Sequence, residues 1–349
     1  MLTEFLLPSE PINYVAGTPS SSAKIRQQPE DFQVEEELGF QPDNSGDHAL
    51  LYIRKRNLNT DWLARELAKL AGVKHVDVGF SGLKDRHAVT SQWFSVNLAG
   101  KIEPDWSILQ SENIQFIIIS RHRRKLKRGV HKRNRFQLRL RQVEGDSSGI
   151  HDRLLRIQSQ GVPNYFGEQR FGHQASNLDW AKKMLQGTVK IRDRHKRSLY
   201  LSAARSMLFN VVLSHRVENG IWDRAIDGDV MILDGSHSFF LAETVDETIR
   251  QRVETGDIHP SGPLWGRGEL STRLQTKALE ESALEPFRPW CDALEQAGLT
   301  QDRRALRIKL QDLSWEFIEQ GDLVLRFSLP VSGYATMVLR EIVKTQNLF

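Results

Sequence analysis

Apolar and polar positions alternate through much of the chain from Gln33 to about Val143, which therefore reads mostly as strands. Val78 and Phe80 lead into "SGLKDRHAVT" (Ser81 to Thr90), and Phe94, Val96 and Leu98 lead out of it. A period of two on both sides predicts strand, loop, strand. In "RFQLRLR", Phe136, Leu138 and Leu140 share one side, while Arg135, Gln137, Arg139 and Arg141 share the other. That predicts a half-buried strand with a cationic wet face. "FIIIS" (Phe116 to Ser120) predicts a further strand before it. One segment departs from the pattern. "NTDWLARELAKLAGV" spaces Leu63, Leu67 and Leu70 as a helix face, with Thr60 as the expected cap and Gly72 as the stop.

After "SQGVPNYFGEQRFGHQ" (Ser159 to Gln174) the period changes. "SNLDWAKKMLQG" predicts a helix opened by a capping box of Ser176 and Asp179 and closed at Gly187. "SAARSMLFNVVLSHRVENG" places Ala204, Met207, Leu208, Val211 and Val212 on the core face of a second helix ending near Gly220. From about Gly228 to Arg304 a loop-rich stretch is expected, with clusters such as "HPSGPLWGRG" and a helix around residues 274 to 297. Strands return in "RALRIKLQDLSWEFI" and in "DLVLRFSLP", where Leu323, Leu325, Phe327 and Leu329 alternate, and "YATMVLREIVK" closes as a helix. Strands at both ends of a helical middle predict an α+β protein whose strand-rich domain is interrupted by an insertion.

The 349 residues are 39% hydrophobic and 26% charged, enough for a large core and two domains. No apolar run approaches the length of a membrane helix, and "MLTEFLLPSEPINYV" lacks the basic lead of a secretory signal. One cysteine, Cys291, leaves no internal disulfide and no cysteine-rich metal site. The cytoplasm is the expected compartment. A net charge of +4 conceals a strong asymmetry, because "RHRRKLKRGVHKRNR" (residues 121 to 135) holds nine Lys/Arg and no acid. Without those nine, 39 basic residues face 44 acidic ones. A local positive field in acidic surroundings suits a polyanion bound in one place. Since strands flank the block, it is read as a connection and not a tail.

Phosphate-loop, dinucleotide, paired-histidine zinc and nucleophile-elbow motifs are all missing. The eleven histidines are scattered and suit surface or nucleic-acid contact. What remains is Asp85, set between Lys84 and Arg86 on a loop. An aspartate, with an ordinary pKa of about 3.9, is ionised at neutral pH and needs no base to act as an anion or nucleophile. A lone carboxylate fits phosphoryl transfer poorly, because metal-binding carboxylates cluster there. It fits attack at a sugar or base better, where an oxocarbenium-like centre gains from an adjacent anion.

"SGLKDRHAVTSQWFSV" resembles the signature of the TruD family of tRNA pseudouridine synthases, in which the aspartate after the lysine is catalytic. Five more segments resemble the family in the same order: "IRQQPEDFQVEE", "RKLKRGVHKRNRFQLRLR", "GVPNYFGEQRFG", "DRHKRSLYLSAARSMLFN" and "FSLPVSGYATMVLRE". The resemblance implies conversion of uridine to pseudouridine in tRNA, at position 13 of the D arm in bacterial members, with no cofactor and no metal. It casts Asp85 as the catalytic residue and places Phe32, Asn134 and Phe136 around the uracil. By themselves Phe32 and Phe136 read as core, and Asn134 as a turn residue. Two positions depart from the pattern: Arg26 stands where the family often has lysine, and Tyr334 where some relatives have phenylalanine. Arginine keeps the charge and can still pair with Asp85.

The resulting expectation is a pseudouridine-synthase-type catalytic domain with a mixed, mainly antiparallel sheet, formed by residues 1–160 and 309–349. An α+β domain is inserted at residues 161–308. Substrate contacts are expected from Arg26, Phe32, Lys84, Asn134, Phe136 and Tyr334. The RNA backbone is expected against Arg123, Arg124, Lys125, Lys127, Arg128, Lys132 and Arg133, and against Arg194, Lys196 and Arg197 of "RDRHKRS". The partner is tRNA, with no membrane, metal or nucleotide cofactor, and the chain is expected to act as a monomer. Two rival classes share part of this pattern. A non-catalytic RNA-binding protein would not need Asp85, and a nucleobase glycosylase would release free base.

Overall fold

The computed structural model describes residues 5–8, 12–236, 238–318, 321–331 and 333–347. Residues 1–4 and 9–11 of the N-terminal stretch, and Ser332 of the closing segment, lie outside the described residues. The chain divides into two compact units. A sheet unit comprises residues 20–150, 310–332 and 343–349, and a helical unit comprises the chain up to residue 19 with residues 151–309 and 333–342. Among the described residues no helix is long and apolar enough to cross a membrane.

In the sheet unit the first strands are β1 (Ser22–Ile25), β2 (Phe32–Leu38), β3 (His48–Arg56), β4 (Val78–Phe80), β5 (Val89–Asn97), β6 (Ile114–His122) and β7 (His131–Glu144). With three later strands they form a ten-stranded sheet. Its main path runs Gln311–Ile318, Asp322–Pro330, β7, β2, β5, β3, β6. β2 runs parallel to β5, and β1 parallel to Lys344–Asn347, while the other pairings are antiparallel. The sheet is therefore mixed and mainly antiparallel, in an α+β fold.

The alternation in "RFQLRLR" survives in β7, where Phe136, Leu138 and Leu140 are buried and Arg135 and Gln137 exposed. Arg139 and Arg141 are not free for a ligand, since they pair at 2.7 Å and 2.8 Å with the nearly buried carboxylates of Asp322 and Asp31. Helix α1 (Thr60–Leu70) lays Leu63, Ala64 and Leu67 against Leu51, Ile53, Phe94 and Val96. Each large apolar side chain buried there contributes about 1.5–3 kcal/mol. Thr60 is not the cap. Asn59 holds that position, and the Thr60 hydroxyl is buried and used elsewhere.

The helical unit is organised by the 25-residue helix Arg194–Glu218, whose apolar positions meet the helices Ser176–Leu185 and Arg288–Gln296 in one core. The expected capping box at Ser176 does not form. Ala175 is the N-cap in a left-handed conformation, with no side-chain bond to the helix. The helix expected at 274 to 297 is two helices, Leu274–Leu284 and Arg288–Gln296, separated by a turn at Glu285–Phe287. Pro286, which has no N–H to donate, lies in that turn. The stretch expected to be loop-rich contains a four-stranded sheet of Asp229–Leu233, Phe239–Ala242, Ile258–Leu264 and Asp302–Ala305. Pro260 and Pro263 obscured its third strand. That strand pairs with one neighbour over Ile258–Pro260 and with another over Ser261–Leu264, so neither proline needs bonds on both sides.

The cuts between the units differ from the expected 160/161 and 308/309. Most of the helix Ser147–Gln160 and the closing helix Ala335–Ile342 fall in the helical unit. Arginine bonds explain this. Arg153 donates to the carbonyls of Ala16, Gly17 and Glu341, and Arg340 donates to that of Asn13.

Candidate active site

The loop between β4 and β5 carries Asp85, and four contacts fix its backbone. Thr60 Oγ1 accepts from the Lys84 N–H at 3.0 Å and donates to Gln92 Oε1 at 2.8 Å. Gln92 Nε2 donates to the Gly82 carbonyl at 3.3 Å, and the Asn57 N–H to the Ala88 carbonyl at 3.0 Å. Lys55, fully buried, donates from Nζ to the Leu58 carbonyl at 2.6 Å and, at 3.5 Å, to the carbonyl of Asp85 itself. Burial pulls its ammonium down to about 8, with the nearby Asp85 charge opposing that fall and Lys84 adding to it.

Asp85 leaves about a third of its side chain exposed, so a substrate can reach it. Its Oδ2 accepts from Arg26 Nη2 at 3.2 Å, and the Arg26 guanidinium lies 4.2 Å from the centre of the Phe32 ring. Arg26 sits in the left-handed region at φ 57°, which costs a non-glycine residue of order 1 kcal/mol or more. The following turn, Pro29–Asp31, is held by Asp31, which accepts from the Gln28 N–H and from Arg141 Nε. Phe32 then meets Phe136 edge-on at 6.2 Å, and Phe136 stacks on Phe327 at 5.4 Å. Both Phe32 and Phe136 are largely covered, Phe136 to 7% exposure.

Lys84, expected to contact substrate, turns its ammonium inward, 2.8 Å from the buried Glu36 carboxylate and 2.7 Å from Asn134 Oδ1. Because Lys84 occupies Oδ1, Asn134 presents its amide N–H to His131 Nε2, 3.2 Å away. That contact requires a neutral imidazole, and burial with the adjacent Lys84 charge lowers the His131 pKa in the same direction. The chain Glu36–Lys84–Asn134–His131 thus aligns the amide, whose second N–H can serve a ligand.

The basic connection runs beside this loop. Leu126 is buried in a small apolar cluster with Leu50 and Trp93, and its N–H donates to Ser95 Oγ at 2.9 Å. The Gly129 N–H donates to the Ser81 carbonyl at 2.7 Å, and Arg128 lies over the Phe80 ring. A Cβ at Gly79 would lie 2.5 Å from the Leu126 carbonyl, so only glycine permits this close approach. Arg123, Arg124, Lys125, Lys127, Arg128 and Lys132 are exposed, and Lys125 donates to the Val76 carbonyl. Arg133 is less free, being bonded to Gln311 and 3.4 Å from Glu37. A cavity of about 300 Å³ in this unit is lined by Glu35, Glu36, Glu37, Tyr52, Trp93 and Arg135.

The remaining expected residues belong to the helical unit. Tyr334 accepts from Arg170 Nη2 at 3.1 Å and meets Phe166 edge-on. Arg194, Lys196 and Arg197 are exposed in the first turn of their helix, where Asp193 accepts from the N–H groups of His195 and Lys196. Sequence reading missed Glu36 and Lys55. Strand parity marks both, since Glu36 falls on the face of Phe32 and Val34, and Lys55 on that of Leu51 and Ile53. Among the described residues no group of three or more His, Cys, Asp or Glu could hold a metal ion.

A mixed, mainly antiparallel sheet thus presents an arginine-paired aspartate on a tethered loop. The sequence model of the family described as tRNA pseudouridine synthase D (TruD) matches residues 11–192 and 181–342. The tRNA pseudouridine synthase D of Nitrosococcus oceani is 52% identical over 336 residues, covering 96% of this chain and 94% of its own. That of Methylococcus capsulatus is 51% identical over 328 residues, covering 94% and 93%. A TruD crystal structure from Methanosarcina mazei, at 21% identity, superposes with a TM-score of 0.73 over 95% of this chain and 96% of that one, and so shares the fold. The chain belongs to the tRNA pseudouridine synthase D family.

Proposed function

We propose that the chain isomerises uridine to pseudouridine in tRNA, at position 13 of the D arm, with Asp85 as the catalytic carboxylate. The uridine leaves its stack to reach the loop, as a base inside a helix is out of reach. Asp85 acts as nucleophile or stabilising anion while the bond from C1′ to N1 breaks. The uracil then turns, C5 bonds to C1′, the C5 hydrogen passes to solvent and N1 takes a proton. The RNA keeps its mass. Arg26 orients Asp85, Phe136 guides the ring, and Asn134 offers an amide N–H to the base.

The observation that carries this reading is the partly exposed Asp85 carboxylate paired to Arg26, on a loop tied down at Gly82, Lys84, Asp85 and Ala88. The exposed cations of the 123–132 connection would bind phosphates of the same tRNA, giving affinity more than sequence choice. Arg194, Lys196 and Arg197 sit where the helix dipole disfavours positive charge, and an RNA phosphate would offset that cost. The sheet unit would carry the chemistry and the helical unit would help to hold the tRNA.

The test is tritium release from tRNA transcripts labelled at uracil C5. Wild type should release tritium, and Asp85→Asn should lose at least about 10⁴-fold in rate while still binding. Equal function of Asp85→Asn would return the protein to the non-catalytic RNA binders. Release of free uracil would make it a glycosylase.

A further inference from the structure

We propose that Lys55 is a positioning residue for Asp85, one whose buried positive charge the reaction requires. This rests on the isomerase reading above. Lys55 shares a face of β3 with Ala49, Leu51 and Ile53, all completely buried, and is itself completely buried. A methionine or leucine would fill such a position with no charge to desolvate, and burial of an ammonium is costly. The one anion that acts on its charge is Asp85 itself. Its partners are two carbonyls, Leu58 at 2.6 Å and Asp85 at 3.5 Å.

Those two carbonyls belong to the two segments whose separation sets the loop. Leu58 lies in the turn that leads from β3 into α1, and Asp85 is the candidate catalytic residue. The short bond fixes the ammonium and the long one places its charge under the Asp85 backbone. Of the charged groups that act on it, Asp85 favours the ammonium and Lys84 opposes it, the Lys84 charge being largely neutralised by Glu36. Lys55 therefore senses Asp85 more than any other anion. Its bond to the Asp85 carbonyl holds the backbone from which the carboxylate reaches Arg26.

The expected signature is a pH dependence that a merely structural lysine would not give. Burial brings the ammonium down to about 8, so the charge is present at neutral pH and is lost as pH rises through that value. Single-turnover tritium release at saturating enzyme would be followed from about pH 6 to pH 9 for wild type, Lys55→Met and Lys55→Arg. The wild-type rate should fall as pH rises through about 8. Lys55→Met should be slower at neutral pH by about tenfold to a hundredfold, the scale of a mispositioned reacting group. It should lack the alkaline fall and bind tRNA within about twofold of wild type. Lys55→Arg, which stays charged, should recover part of the rate and also lack the fall.

A folded Lys55→Met enzyme with the wild-type rate overturns the proposal, and so does one that keeps the alkaline fall. Should Lys55→Met not fold, the wild-type profile still decides, because a rate flat through pH 8 leaves the charge without a role. No tritium release by wild type at any pH overturns the isomerase reading and this inference with it.

Discussion

Two fully buried cations, Arg216 in the helical unit and Lys55 in the sheet unit, were solved in opposite ways. Arg216 pairs with the buried Asp229 through two bonds, at 2.7 Å and 2.9 Å, and donates also to the carbonyls of Ile221 and Arg224. Burial opposes the charge, but the bonded Asp229 carboxylate outweighs it and raises the arginine pKa. Lys55 bonds two carbonyls and has a depressed pKa. A charge buried against a bonded counter-ion needs no explanation beyond the fold. A charge buried on two carbonyls is a cost the fold alone does not require, and it sits beneath the loop that presents Asp85.

The largest effect that would sharpen this contrast is on stability. Arg216→Met should cost about 3–5 kcal/mol in urea unfolding, because it leaves Asp229 buried and uncompensated. Lys55→Met should cost far less, or stabilise, since it removes a charge that burial disfavours from the interior. Equal losses for the two variants would erase the distinction.

A smaller effect is the pH dependence of that stability. The folded Lys55 value of about 8 lies below the ordinary 10.5, so between these the unfolded chain still holds a proton that the folded chain has released. Stability from this group therefore rises with pH across that window, by up to about 3 kcal/mol, and is absent below it. Tyrosines such as Tyr52, raised to about 12 by burial, act with the opposite sign at the upper end. The difference between wild type and Lys55→Met isolates the lysine. Activity should fall across pH 8 while stability begins to rise, a divergence that Arg216 cannot produce.

The smallest effect concerns cations left on the surface. Arg124→Ala and Lys127→Ala should each lower the salt dependence of tRNA binding by about one unit of slope, with no change in stability. Lys84→Ala should instead destabilise the sheet unit, since its ammonium is spent on Glu36 and Asn134.

Much of the sheet was legible because side-chain parity in a strand reports burial directly. β7 carries the alternation its sequence announces, and α1 the leucine face. Local signals with several uses were read less well. Thr60 had the look of a cap but binds Lys84 and Gln92, and the Ser176–Asp179 pair had the spacing of a capping box that does not close. Pro260 and Pro263 hid a strand. Each of these residues can satisfy the backbone locally or reach a distant partner, and the sequence does not say which.

By itself the sequence determined the alternating strands, the position of Asp85 on a loop between two of them and the concentration of positive charge in one connection. These follow from local periodicity and composition. Only the tertiary structure decided what the charges do. Sheet pairing set Glu36 against Lys84 and turned that lysine inward, placed Arg26 on Asp85, and left Lys55 under the loop with carbonyls for company. Parity gives the face a side chain occupies, but the partner it meets there comes from a strand tens of residues away.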